Sequence, residues 1–139
     1  MEIIIALDIG KTKTGIAKSD PMGILIKPLK TVLTVDLISE LETMSQEFDI
    51  PTIVIGKPIN TGFGNKDSLN LIEAETAKIK NSFPNIEVIF VNESFTSREA
   101  ESILKDKGIK IQKNNKELLD MYAAAILLEE YFQGDTPKN

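Results

Sequence analysis

The stretch that most limits how this chain can fold lies near its end. Residues 116–132, KELLDMYAAAILLEEYF, read as one long helix, and from Leu118 to Leu128 its only charged residue is Asp120. A helix that is apolar all round has to be buried. Its small residues Ala123 and Ala124 would let it approach a sheet closely. A carboxylate on such a helix is seldom buried without a partner or a metal ion. A plain alternative pairs Asp120 with Lys116 one turn back, but it leaves the small residues around Asp120 unexplained.

The rest of the chain supplies the sheet for this helix. EIIIALD (2–8) is a short apolar run ended by a charge, a buried strand. TGIAKSD (14–20) follows a short turn as its hairpin partner, and GILIKPLKTV (23–32) reads as a third strand. Pro28 puts that third strand at an edge or a bulge. Val35, Ile38, Leu41, Met44 and Phe48 then recur at helical spacing. PTIVIG (51–56) and IEVIFV (86–91) are further strands, with a loop rich in Gly, Asn and Pro over 57–67 and a helix from Asp67 or Ser68 to Ser82. A helix over 96–108 opens on a capping box, Thr96 and Glu99, and stops at Gly108. The order β-β-β-α-β-α-β-α-α predicts an α/β fold: a mixed five-stranded sheet, a meander followed by alternating helices and strands, with helices on both faces. Residues 1–133 form one domain and 134–139 a frayed tail.

What the chain lacks narrows its chemistry. It has 139 residues, no cysteine and no histidine, so disulfides, thiolate metal sites and histidine bases are all excluded. No apolar run is long enough to cross a membrane, and no secretory leader is legible, which predicts a cytoplasmic protein. The net charge of −5 argues against a general nucleic-acid coat protein. Its distribution is uneven. Residues 34–49 carry Asp36, Glu40, Glu42, Glu47 and Asp49 without a Lys or Arg, whereas 105–116 carry five lysines against Asp106. Both runs also fit ordinary solvated surfaces.

Three carboxylates stand in unusual places. Asp8 closes the first strand, at the carboxyl edge where α/β sheets bind ligands; it also fits a simple turn aspartate. Glu93 lies just past VIFV and emerges on the same edge if the two strands are parallel; alone, it also fits an exposed loop. Asp120 is the third. Converging carboxylates without histidine suit Mg²⁺ or Mn²⁺. Two such ions about 3.5–4 Å apart can activate water and stabilise a leaving oxygen in phosphodiester hydrolysis. The ions would also reverse a local field that otherwise repels phosphate.

With these residues in place, the chain resembles the YqgF family of RNase H-like nucleases, described as Holliday-junction-resolvase-like proteins and pre-16S rRNA processing nucleases. The likeness runs from about residue 3 to 132. ALDIGKTKTGIAKSD, IVIGKPIN, VNESFTSREAE and LLDMYAAAILLEEYF look like the family's four motifs, in order. The resemblance implies an RNase H-like fold, with Asp8, Glu93 and Asp120 as the metal-binding catalytic carboxylates. It implies metal-dependent endonuclease action on structured RNA or branched DNA, and it is compatible with a homodimer. Lys13, Lys57, Asn60, Thr96 and Ser97 would then contact nucleic acid. The chain departs from the family pattern at Asn92 (usually Asp), Ser94 (usually Arg) and Lys57 (usually apolar), so the carboxylates are kept while part of the phosphate grip is not.

Two other readings compete. DIGKTKTG also fits the phosphate-facing loop of actin- and sugar-kinase-type nucleotide-binding domains, of which this chain could be only half. The missing Arg and the acidic charge fit a nucleic-acid-binding domain with weak or no catalysis.

Overall fold

A computed structural model of the protein describes residues 1–58, 66–93, 101–102, 105–106, 108 and 116–134. The capping box at Thr96 and Glu99, the basic stretch 109–115, most of the 57–67 loop and residues 135–139 lie outside the described residues, as do Asn60, Thr96 and Ser97.

The meander comes first. Strands β1 (Glu2–Ile9), β2 (Lys13–Ser19) and β3 (Ile26–Leu33) pair antiparallel. The β2–β3 register slips between Ile16 and Ala17, where Lys30 and Pro28 are their partners and Leu29 is extra. β3 is also the edge strand. Pro28 thus occupies both the bulge and the edge, where its missing N–H costs no ladder bond. A single 3₁₀ turn (Thr34–Asp36) leads into helix α1 (Leu37–Glu47). Strand β4 (Asp49–Pro58), helix α2 (Lys66–Ser82), strand β5 (Glu87–Glu93) and helix α3 (Lys116–Gln133) follow. β4 pairs parallel with β1, and β5 with β4, giving the order β3-β2-β1-β4-β5.

The period-2 alternation of β1 sorts its side chains between two cores. Ile3, Ile5, Leu7 and Ile9 face α1 and α2, packing with Leu37, Leu41, Met44, Ile72 and Ile79. Ile4 and Ala6 face α3, packing with Ala17, Val54, Val91, Ala124, Leu127 and Leu128. The isolated apolar helix of the sequence is thus the cover of one whole sheet face, and Ala124, Leu127 and Leu128 are fully buried there.

Several boundaries differ from the sequence expectation, among them the start of β3 at Ile26 and the end of β5 at Glu93. The 3₁₀ turn leaves Val35 88% exposed, and Leu37 takes the inward place on α1 that helical spacing assigned to Val35. β4 runs two residues past Gly56, through Lys57 and Pro58. Gly108 takes φ +81° and donates its N–H to the Lys105 carbonyl at 2.9 Å, as a helix-ending glycine does.

Candidate active site

Asp8 is the last residue but one of β1, and Glu93 is the last residue of β5. The two strands run parallel through β4, so both carboxylates reach the same edge of the sheet. Strand alternation puts Asp8 on the face of Ala6 and Glu93 on the face of Val91, which is the face α3 covers. Asp120 comes down from the second turn of α3 onto the same edge.

Glycines make room for this meeting. Gly15 is the β2 partner of Asp8. A Cβ on Gly15 would fall on the carbonyl of Asp120 and 2.8 Å from the nitrogen of Met121. Only a residue without a side chain lets the helix backbone sit directly on the strand here. Gly56 serves the middle of the sheet, where a Cβ would come within 2.7 Å of Leu127 Cδ1.

The turn after Asp8 is held from beneath. The Gly10 N–H bonds the Lys13 carbonyl at 3.0 Å, closing the hairpin. Thr34 Oγ1 donates to the Gly10 carbonyl at 2.7 Å, and Thr14 Oγ1 then donates to Thr34 Oγ1 at 2.9 Å. The Thr34 N–H also bonds the Thr12 carbonyl at 2.9 Å. The start of α3 is tied down by Thr31 Oγ1, which donates to the Glu117 carbonyl at 2.7 Å. Lys13 pairs loosely with Glu117 at 3.7 Å.

All three carboxylates are raised above their ordinary values. Burial pushes Asp8 up to about 8, helped by the neighbouring charge of Glu93 and by a hydrogen bond shared with it. Glu93 is also raised, first by burial; the hydrogen bond from Asp8 pulls it back, and the charge of Glu130 adds to the rise. A hydrogen bond joins Asp8 and Glu93, and burial favours the protonated form of both. Asp120, half-buried, is pushed up to about 6 by burial and then by the charge of Asp8. Lys13 opposes that shift and Glu117 reinforces it. Among the described residues no three such groups are drawn together tightly enough to ligate one ion. Asp8 and Glu93 form the close pair, and Asp120 is joined to it by charge. The donor set is nonetheless one of hard oxygens, which suits a hard divalent cation.

Not every expected residue joins this site. Lys13 stands beside Asp120. Lys57 does not face the pair: its Nζ lies 4.9 Å from the centre of the Phe90 ring, in the layer of α1 and α2. Because β4 continues past Gly56, Lys57 alternates to the opposite face of the sheet. Glu130, which influences Glu93 from the far end of α3, was not legible as part of the site. It is ten residues along the helix from Asp120, and only the crossing of α3 over the sheet brings it into range.

A meander extended by two parallel strands, with carboxylates closing β1 and β5 beneath a carboxyl-terminal helix, defines the RNase H-like α/β fold. Thermus thermophilus RuvC has this fold and superposes with a TM-score of 0.58 at 10% identity, over 96% of this chain and 97% of that one. RuvC from the same organism in complex with a Holliday junction substrate gives 0.59 at 12% identity, over 99% of both chains. The chain belongs to the RuvX family, described as Holliday junction resolvase, whose model matches residues 2–134. Relatives named "Putative pre-16S rRNA nuclease" include one from Azobacteroides pseudotrichonymphae, 32% identical over 94% of this chain and 95% of that one. Another, from Flavobacterium psychrophilum, is 34% identical over 94% of this chain and 96% of that one.

Proposed function

We propose that this protein is a divalent-metal-dependent endonuclease that hydrolyses phosphodiester bonds in structured nucleic acid in the cytoplasm. The substrate read first is the pre-16S rRNA of its relatives' name, and the second is branched DNA, after the family's description. The observation that carries the reading is the Asp8–Glu93 pair: two half-buried carboxylates at one sheet edge, hydrogen-bonded to each other and both raised, with Asp120 beside them. No stability argument explains such a grouping, since each group loses hydration and gains a like charge as neighbour.

Asp8, Glu93 and Asp120 are the residues that would hold Mg²⁺ or Mn²⁺. When bound, such a cation supplies Lewis-acid polarisation of the phosphate and eases deprotonation of water. The chain's own part is positional. The Thr34–Thr14 hydroxyl pair fixes the turn after Asp8, and Thr31 and Gly15 fix the height of Asp120 over the sheet. The α3 layer covers this face of the sheet, which would strengthen the pair's hold on a cation. Lys13, 44% exposed at its side chain, would meet a backbone phosphate beside Asp120. Asn60, which follows β4 in sequence, and Thr96 and Ser97, which follow β5, are proposed as further contacts. Lys57, on the far face, would reach a strand only beyond that edge.

The test is cleavage of an end-labelled pre-16S rRNA fragment and of a four-way DNA junction, each with Mg²⁺, Mn²⁺ or chelator. Metal-dependent cutting at a defined site in the rRNA fragment is expected. Cutting confined to the junction would move the substrate to DNA, and absence of cutting on both would remove the nuclease reading.

A further inference from the structure

At the opposite edge of the sheet from the carboxylates lies a groove of about 610 Å³, between the ends of α1 and α2 and the starts of β4 and β5. Phe48, Ile50, Pro51, Phe83, Pro84 and Ile86 give it an apolar lining, with Glu2 and Asp49 also on its wall. Both helices finish here: the Phe48 N–H bonds the Met44 carbonyl and the Phe83 N–H the Ile79 carbonyl, each at 2.8 Å. The negative ends of two helix dipoles thus converge on the groove.

The sequence's acidic run, 34–49, ends at this groove and has no function at the carboxylate site. Among the described residues, Lys30 pairs with Glu40 at 3.0 Å, while Glu42, Glu47 and Asp49 are exposed around the end of α1. Lys18 of β2 holds its Nζ 4.8 Å from the centre of the Phe48 ring, so one ammonium of the chain itself already lies against this wall. A second observation comes from the same edge. The turn between β2 and β3 holds Met22, Ile24 and Leu25 in solvent, 77%, 76% and 63% exposed. Asp20 orders that turn, accepting the Met22 N–H at 3.2 Å and the Leu25 N–H at 2.7 Å. These backbone bonds hold its carboxyl below the usual range, and so charged. Strand order and register set Asp20, Glu2 and Asp49 one after another along the edge. Exposed apolar side chains interleaved with fixed negative charge mark an interaction surface.

We propose that this groove docks a basic, apolar-anchored segment of a partner protein. Phosphate would be repelled by the rim, whereas a segment alternating Lys or Arg with Leu or Phe satisfies both charge and lining. Basic segments of that kind are carried by proteins that bind nucleic acid. A partner seated here would leave the carboxylate edge free. The inference does not depend on the nuclease reading, since its test measures binding and not cleavage.

The test uses the full chain, ¹⁵N-labelled, and three synthetic peptides. One alternates Lys/Arg with Leu/Phe, one replaces the basic residues with Glu, and one replaces the apolar residues with Ser. The first is expected to bind saturably and to shift amides of residues 45–51 and 82–86. The other two should bind at least about tenfold more weakly, and Asp49→Lys should weaken the first about tenfold without changing amides near Asp8. Equal binding of the Glu peptide would overturn the proposal, as would shifts centred on the carboxylate edge. So would self-association that the basic peptide disrupts, which would assign the groove to a second copy of this chain.

Discussion

Gly15 and Asp120 meet backbone to backbone: the missing Cβ of the strand residue is the space in which the carbonyl of the helix residue sits. That contact sets the height of α3 over β2, and with it the distance from the Asp120 carboxylate to Asp8. Gly15→Ala must lift the helix, because backbone cannot yield as a side-chain tip can. We expect a loss of about 3 kcal/mol in urea unfolding, at the upper end of overpacking costs, and a fall in cleavage of more than about tenfold. A variant of unchanged stability and rate would show that the contact positions nothing.

Gly56 and Leu127 form a softer version of the same device. A Cβ at residue 56 meets the Leu127 side chain, its methyl ends at 2.7 and 3.0 Å and its Cγ at 3.4 Å. Gly56→Ala is expected to cost about 1–3 kcal/mol, and Leu127→Ala, which empties a fully buried site, about 2–5 kcal/mol. Since each substitution relieves the other, the double variant should be more stable than the sum of the two losses by at least about 0.5 kcal/mol. Strict additivity would contradict the contact.

Thr34 links the turn after Asp8 to the start of α1. It is 5% exposed and bonds both Gly10 and Thr14 through its hydroxyl. Thr34→Val keeps the shape and orphans the Gly10 carbonyl and the Thr14 hydroxyl. A loss of about 1–3 kcal/mol is expected in chemical denaturation, together with weaker Mn²⁺ binding by calorimetry. Thr34→Ser should restore most of both.

The raised carboxylates give stability a definite pH dependence in the metal-free protein. Unfolded Asp8 titrates near its ordinary 3.8 and folded Asp8 near 8. Between those values the folded chain keeps a proton that the unfolded chain has released, so stability falls as pH rises and levels off above about 8. Asp120, at about 6, adds to the fall over the lower part of the window. The total is on the order of a few kcal/mol. Thermal melts in chelator at about pH 5 and about pH 9 should show a lower Tm at the higher pH. Asp8→Asn should remove most of that difference. A wild-type Tm that climbs across the window would contradict the pairing of Asp8 with Glu93.

Much of this architecture is legible locally. Strand runs, helical spacing and the lone charge on α3 are patterns of neighbouring residues, and they give the element order, the two helical layers and the three carboxylates. Contacts between distant elements are not local. Gly15 reads in sequence as the start of a returning strand, and nothing nearby says that a helix backbone a hundred residues later rests on it. The placement of Lys57 is hidden for a different reason. Ending β4 at Gly56 treats Lys57 as a loop residue free to face the site, whereas two more residues of strand fix its side chain to the other face. Val35 fits a helical stripe by spacing, but the 3₁₀ turn advances the chain and gives its place to Leu37.

The central claim is that Asp8, Glu93 and Asp120 act together on a phosphodiester bond. Its most direct measurement is single-turnover cleavage of the pre-16S rRNA fragment and the DNA junction with Mg²⁺ or Mn²⁺, comparing wild type with Asp8→Asn, Glu93→Gln and Asp120→Asn. Each variant replaces a carboxylate by its amide of the same shape, and circular dichroism would verify that each remains folded. Rates lower by about 10²-fold or more in all three variants are the predicted result. Equal rates in wild type and the folded Asp8→Asn variant would contradict it.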